Sequence, residues 1–330
     1  MDSTLGIALI GCGQIANAHL KAVSQLESAT LIATMDVVEA RAVAAQSEFN
    51  ARRSYTNLTA ALADPEVDAV VLALPHHLHK PIAIQAANAK KHILVEKPMA
   101  LNLAEAEAMC EAAEQNDVRL LVGQSTRFVP AVSEAKRRVE AGEIGEVYHC
   151  VYHRHFFIER LSTEWRYSDA QCGGLYLPLF GSHDVDAMLW WLNREPTTVY
   201  SALQARNTVS EVAESDGVVV MTFSDGALAT LSFSTTSRED HYRATLIGSQ
   251  GTIALSHNTL SVNGEAVTVE ARGNQFLAQM REFVEAVQSP SDTLRIASGR
   301  SVLRVMAALD AAKTSAQTNT VVRLEPTNAN

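Results

Sequence analysis

Basic residues are in the minority. There are 27 lysines and arginines against 37 carboxylates, a net charge of −10. That excludes the broad cationic face of a general nucleic-acid binder and a polybasic membrane patch. No apolar run approaches the length of a membrane span. The start, Met1-Asp2-Ser3-Thr4, lacks the basic-then-apolar order of a secretory signal. The four cysteines, Cys12, Cys110, Cys150 and Cys172, are scattered and form no C-x-x-C. A soluble, reduced, cytoplasmic protein is expected. Internal repeats, low-complexity tracts, G-x-S-x-G and Walker sequences are also missing. What remains is a globular composition. The 330 residues are 47% apolar, enough for a sizeable core and for two domains of ordinary size.

Up to about residue 124, strand and helix patterns alternate. Apolar runs at 5–10, 30–35, 69–74, 92–95 and 119–122 read as buried strands. Helical patterns at 14–26, through residue 41, at 81–89 and at 103–115 lie between them, with a short capped helix from Asn57. This predicts an α/β fold whose N-terminal domain, 1–124, is a doubly wound parallel sheet. Beyond it, alternating strands at 199–205, 217–223, 227–233, 242–248 and 251–255 follow one another without crossover helices. They predict an open, mainly antiparallel sheet in a second α/β domain, 125–330. Two helices, 275–288 and 299–316, and a strand at 320–324 complete it.

Gly11-Cys12-Gly13-Gln14-Ile15-Ala16 fits G-x-G-x-x-[GA] and sits between the first strand and the first helix. Gly11 permits the tight turn, Gly13 lets a pyrophosphate approach, and Ala16 lets the helix pack on the strand. The helix N-terminus then faces the anion. Asp36 ends the second strand. A carboxylate there accepts hydrogen bonds from a ribose hydroxyl and repels a 2′-phosphate. Val37 and Val38 offer no cation for that phosphate, so NAD is expected rather than NADP. A helix N-cap is the alternative role for Asp36, compatible with the first.

Glu96-Lys97-Pro98 lies just beyond the strand at 92–95, on the sheet edge where open parallel sheets bind ligands. A lysine beside a nicotinamide can hydrogen-bond a substrate hydroxyl or move its proton. From position alone, a solvated turn lysine is an equal alternative.

Together, the glycine fingerprint, Ala73-Leu-Pro-His-His-Leu-His79 and Val95-Glu-Lys-Pro98 resemble the Gfo/Idh/MocA oxidoreductases in order and spacing. The resemblance continues through Gly142-Glu-Ile-Gly-Glu-Val147, Trp165-Arg166, Gly173-Gly174 and Gly181-Ser-His-Asp-Val-Asp186. It implies a Rossmann domain and a second domain whose open sheet is an active-site wall and an oligomer interface. It further implies NAD binding by Gly11, Cys12, Gly13, Gln14, Ile15, Asp36, Leu74, Pro75, His76, His79, Glu96, Lys97 and Gln124. Catalysis falls to Lys97 and His183, and substrate contacts to Lys97, Trp165, Arg166 and His183. The expected reaction is oxidation of a secondary hydroxyl of a sugar, glycoside or cyclitol, or its reverse, in a homodimer or homotetramer.

One departure stands out. The family run carries an aspartate four residues before the histidine; here that position is Leu179, and a family glycine is Leu175. An aspartate one helical turn away would orient the imidazole and raise its basicity. Leu179 does neither. His183 then acts alone, Lys97 carries the proton, or turnover is lost; Asp186 is a partial substitute on the same helix. Two competing functions follow: an NAD-dependent glycosidase working through transient oxidation, and a non-catalytic NAD and sugar sensor. His76, His77 and His79, and His149, His153 and His155, cluster without the cysteine or carboxylate partners of a zinc site, so no metal is expected. Trp190 and Trp191 read as core.

Overall fold

The computed structural model describes residues 4–206, 209, 213–257, 259–270, 273–289 and 295–327. Residues 1–3, read above for a signal sequence, lie outside the described residues. The chain begins with β1 (Leu5–Ile10), α1 (Ala16–Val23), β2 (Ala29–Met35), α2 (Glu39–Phe49), β3 (Arg53–Tyr55) and α3 (Leu58–Leu62). There follow β4 (Ala69–Leu72), α4 (His79–Asn88), β5 (His92–Val95), α5 (Leu103–Gln115) and β6 (Leu120–Val122). Next come α6 (Pro130–Glu140), β7 (Val147–Phe157), α7 (Asp169–Cys172), α8 (Ser182–Leu192), β8 (Pro196–Gln204) and β9 (Asp216–Phe223). The rest are β10 (Leu228–Ser234), β11 (Thr236–Gly248), β12 (Thr252–Ser256), β13 (Thr259–Val262), β14 (Glu265–Val267), α9 (Gln275–Gln288), β15 (Ala297–Ser298), α10 (Gly299–Thr318) and β16 (Val322–Arg323).

The chain divides into two units. The first holds residues up to 100, 104–128 and 273–299. Its sheet runs β15-β6-β5-β4-β1-β2-β3, parallel throughout except for the short antiparallel β15. Every residue of β1 and β4 is buried, as expected where helices cover both faces. Strand order reverses between β1 and β4, so the chain ends at Gly11 and Ala73 open a crevice at the carboxyl edge. The sequence reading put residues 275–288 in the second domain; in the structure they belong to the first unit. The reason is tertiary: Met280, Phe283 and Val284 on α9 are buried in the same core as Leu9, Leu20 and Val71.

The second unit holds 101–103, 129–272 and the chain from 300. Its sheet runs β14-β13-β12-β11-β7-β10-β9-β8-β16. All its pairs are antiparallel except β7 with β10, which run parallel. The sequence marks 147–157 only by His149, His153 and His155, which share one face if that stretch is extended; it is β7, the sheet's central strand. Cys150 and Tyr152 alternate as buried positions, Val147 falls out of phase across a register shift, and the histidines and arginine of the strand mask the period of two. Trp191 is core, with Nε1–H donating to the Val132 carbonyl at 3.1 Å; Trp190 is half-buried instead, with Lys136 Nζ 5.7 Å from its ring centre.

Among the described residues, no helix is long and apolar enough to cross a membrane.

Candidate functional site

In the first unit the glycine turn is dictated by close backbone packing. Gly11 has φ +93°, and a Cβ there would sit 2.5 Å from the Ala73 carbonyl oxygen and 2.8 Å from Leu74 Cδ2. No other residue fits. A Cβ on Gly13 would meet nothing within 4 Å, so space is open where a pyrophosphate would lie. Gln14 and Ile15 finish the turn, exposed, and α1 starts at Ala16 rather than at 14. The Cys12 thiol is pushed up to about 12 by burial and by the Asp36 charge, so it is not a reactive thiolate at neutral pH.

Asp36 is buried at the end of β2. Oδ2 accepts the Cys12 N–H at 2.9 Å and Oδ1 accepts the Val38 N–H at 2.9 Å. The N-cap of α2 is Val38, so Asp36 is not that cap. Each carboxylate oxygen keeps a lone pair for a ribose hydroxyl. Arg41, in the first turn of α2, is close enough to the Cys12 thiol to oppose its rise in pKa. Val37 and Val38, the residues directly after Asp36, give no sign of this cation, which lies one helical turn further on. The tight turn, the open space at Gly13 and the placed carboxylate together fit NAD.

After β4, Leu74 and Pro75 are half-buried and His76 is buried. His79 is fully buried, with Nδ1 2.9 Å from the Pro98 carbonyl oxygen and Nε2 3.0 Å from that of Leu74. Burial holds its pKa below the usual histidine value. Both nitrogens face backbone carbonyls, and the neutral ring donates its single N–H to one of them, tying His79 to a loop that flanks the crevice. Glu96 is buried and Lys97 half-buried after β5, and the Lys97–Pro98 bond is cis. Burial opposes ionisation of Glu96, but a hydrogen bond from His19 and the Lys97 charge prevail and hold its pKa below the usual range. Gln124 is buried just past β6, its N–H donating to the Val122 carbonyl at 2.8 Å.

In the second unit, residues Leu177–Gly181 form a π-helical turn that runs directly into α8. Such turns are rare and concentrate at functional sites. A spacing of four predicts an α-turn between 179 and 183; the turn found is wider. Leu179 is buried with Ile158, Cys172 and Leu175, beside the half-buried Phe156, Trp165 and Phe180. His183 is half-buried in the first turn of α8, and Asp186 is buried.

Asp184, which the sequence reading passed over, is fully buried beside His183. Its Oδ1 is 2.9 Å from Arg154 Nη1, and its Oδ2 accepts the Tyr176 hydroxyl at 2.5 Å. Tyr176 is stacked on Phe233 at 3.8 Å, and burial keeps its hydroxyl protonated. Strand β7, the π-turn and α8 are thereby pinned to one carboxylate. Glu214 holds the start of the π-turn: its Oε1 accepts the Leu177 N–H at 2.7 Å. A Cβ on Gly174, at φ +128°, would lie 2.9 Å from both Glu214 oxygens. Trp165 and Arg166 share a single 3₁₀ turn, the guanidinium 5.2 Å from the indole centre and hydrogen-bonded to the Ser162 hydroxyl. Arg166 Nε is buried without a hydrogen-bond partner among the described residues.

Two family models match the chain. Residues 5–124 match one described as an oxidoreductase family with an NAD-binding Rossmann fold, and residues 132–254 match the GFO/IDH/MocA C-terminal domain. The scyllo-inositol 2-dehydrogenase (NAD(+)) of Bacillus subtilis is 29% identical over 282 residues, 84% of this chain and 80% of that protein. The structure of GenD2 from gentamicin A biosynthesis in complex with NAD is 25% identical, with a TM-score of 0.86 over 98% of this chain and 97% of that one. The aldose-aldose oxidoreductase of Caulobacter crescentus shares the fold at 23% identity, with a TM-score of 0.88 over 97% and 100% of the two chains.

Proposed function

Because the chain belongs to the Gfo/Idh/MocA family of NAD-binding oxidoreductases, we propose that it is a dehydrogenase for a secondary hydroxyl of a sugar, glycoside or cyclitol, or for the reverse reduction. The observation that carries the reading is the turn after β1. Gly11 is packed against Ala73, space is open at Gly13, and the Asp36 carboxylate is fixed to the same turn. The likeness to a scyllo-inositol dehydrogenase supports a polyol substrate.

Gly11, Cys12, Gly13, Gln14 and Ile15 would hold the pyrophosphate, and Asp36 the ribose diol. NAD, when bound, supplies the hydride acceptor. Lys97 Nζ takes the proton of the reacting hydroxyl, and His183 hydrogen-bonds the substrate without a carboxylate at 179. The Trp165 face suits the C–H face of a sugar, and Arg166 donates to hydroxyls or a carboxylate. Phe157, Tyr200, Val218 and Leu228 are exposed on strands of the second sheet. They support a homodimer or homotetramer formed through that sheet.

Replacing Lys97 tests the reading. Lys97→Ala is expected to lower turnover at least about 100-fold, the scale of a lost proton-transfer group, while NAD affinity stays within about threefold. Unchanged turnover would remove Lys97 from the chemistry. Leu179 favours a second reading: its apolar surroundings leave no carboxylate at the position the family uses. A sensor would bind NAD and sugar tightly and turn neither over.

A further inference from the structure

His19 lies on α1, the helix that begins at the glycine-rich turn, and is almost fully buried. Its Nε2–H donates to Glu96 Oε1 at 2.7 Å. The other Glu96 oxygen, Oε2, accepts the backbone N–H of Lys97 at 3.2 Å. Phe276 from α9 packs edge-on to the imidazole, ring centres 5.4 Å apart. His19 Nδ1 is buried with no hydrogen-bond partner among the described residues, so the ring is held by its hydrogen bond to Glu96 and by packing against Phe276. A fourth element makes room for this contact. A Cβ on Gly123, just past β6, would lie 3.2 Å from Glu96 Oε1 and 3.4 Å from Glu96 Cα. Buried polar contacts of this kind are costly unless satisfied, and they specify one arrangement when they are.

We infer that His19 is a positioning residue for Lys97. It fixes the Glu96 carboxylate, and Glu96 fixes the turn that carries Lys97 to the helix whose N-terminus faces the cofactor. His19 touches neither cofactor nor substrate, so its loss separates lysine placement from cofactor affinity.

The kinetic test rests on the reading of Lys97 given above; the spectroscopic test does not. His19→Leu removes the donor, while His19→Gln keeps an N–H near the position of Nε2. With a turned-over polyol, His19→Leu is expected to lower kcat about 10- to 100-fold with NAD affinity changed less than about threefold, the scale of a small misplacement of a reacting group. His19→Gln recovers most of it. The double variant His19→Leu/Glu96→Gln is no worse than Glu96→Gln alone, because residues acting as one unit are not additive. Separately, lysines are reductively methylated with carbon-13, and the Lys97 signal is assigned by its disappearance in Lys97→Arg. That signal is expected to move in His19→Leu and Glu96→Gln and to return in His19→Gln. Gly123→Ala, which crowds the same carboxylate, moves it too and replaces His19→Leu if that variant does not fold. A Lys97 signal unmoved in folded variants overturns the inference. So does a loss of kcat that is additive in the double variant. A moved signal in a protein that turns over no polyol supports the inference and removes the dehydrogenase reading instead.

Discussion

Asp184 and Arg154 form an ion pair of 2.9 Å immediately beside His183, with the Asp184 side chain wholly buried and the arginine about 29% exposed. The same carboxylate takes the Tyr176 hydroxyl at 2.5 Å. Removing one partner of a buried pair costs about 3–5 kcal/mol because the other charge is stranded. Arg154 reaches solvent, so Asp184→Asn is expected near the lower end, measured as the shift in denaturant unfolding. A change below about 1 kcal/mol would mean that the pair does not hold α8 in place.

Asp36 joins the glycine turn to β2 and carries the expected choice of cofactor. Asp36→Ala is expected to weaken NAD binding about tenfold or more and to bring NADP close to parity, with Arg41 available to the 2′-phosphate. Titration of both nucleotides checks it. Unchanged preference would place the ribose away from Asp36.

Leu179 is about 6% exposed within an apolar cluster. Leu179→Asp buries a carboxylate among Leu175, Ile158 and Cys172 and is expected to cost about 3 kcal/mol or more, without raising turnover. Leu179→Ala is expected to cost about 2–5 kcal/mol through the cavity it leaves. A Leu179→Asp variant as stable as the parent, and faster, would show that the site accepts the family carboxylate.

Stability is expected to depend on pH through one buried and three half-buried histidines. His79 has its pKa held below 6.5 by burial, and His92, His153 and His155 are shifted the same way. Below about pH 6.5 the unfolded chain takes up protons that the folded chain refuses, so stability falls with falling pH and is level above. Asp64 and Glu96 have lowered pKa values; their contribution is present above the ordinary carboxylate range and is lost only at lower pH. The melting temperature should therefore drop between pH 6.5 and 5, and His79→Gln should flatten part of that slope. A constant melting temperature across this window would contradict the buried, neutral state of His79.

Features coded by short spacing were legible in the sequence. Gly11, Gly13 and Asp36 follow from one strand–turn–helix pattern, and α9 was read with its observed ends. What failed depends on residues distant in sequence. The membership of α9 in the first unit comes from Met280 and Phe283 entering a core built by residues 5–128. Asp184 finds Arg154 across 30 positions, and His19 finds Glu96 across 77. The π-turn before His183 has no period that separates it from an α-helix over five residues. The backbone carbonyls of Leu74 and Pro98 on either side of the His79 ring are likewise invisible in its motif.

Absorbance at the reduced-nicotinamide band, with NAD and a panel of cyclitols, aldoses and glycosides, tests the central claim most directly. Stoichiometric NADH formed with at least one polyol, and abolished in Lys97→Ala, is the predicted result. No net NADH in either direction, with tight NAD binding measured separately, would contradict it; glycoside cleavage under those conditions would identify a hydrolase, and its absence a sensor.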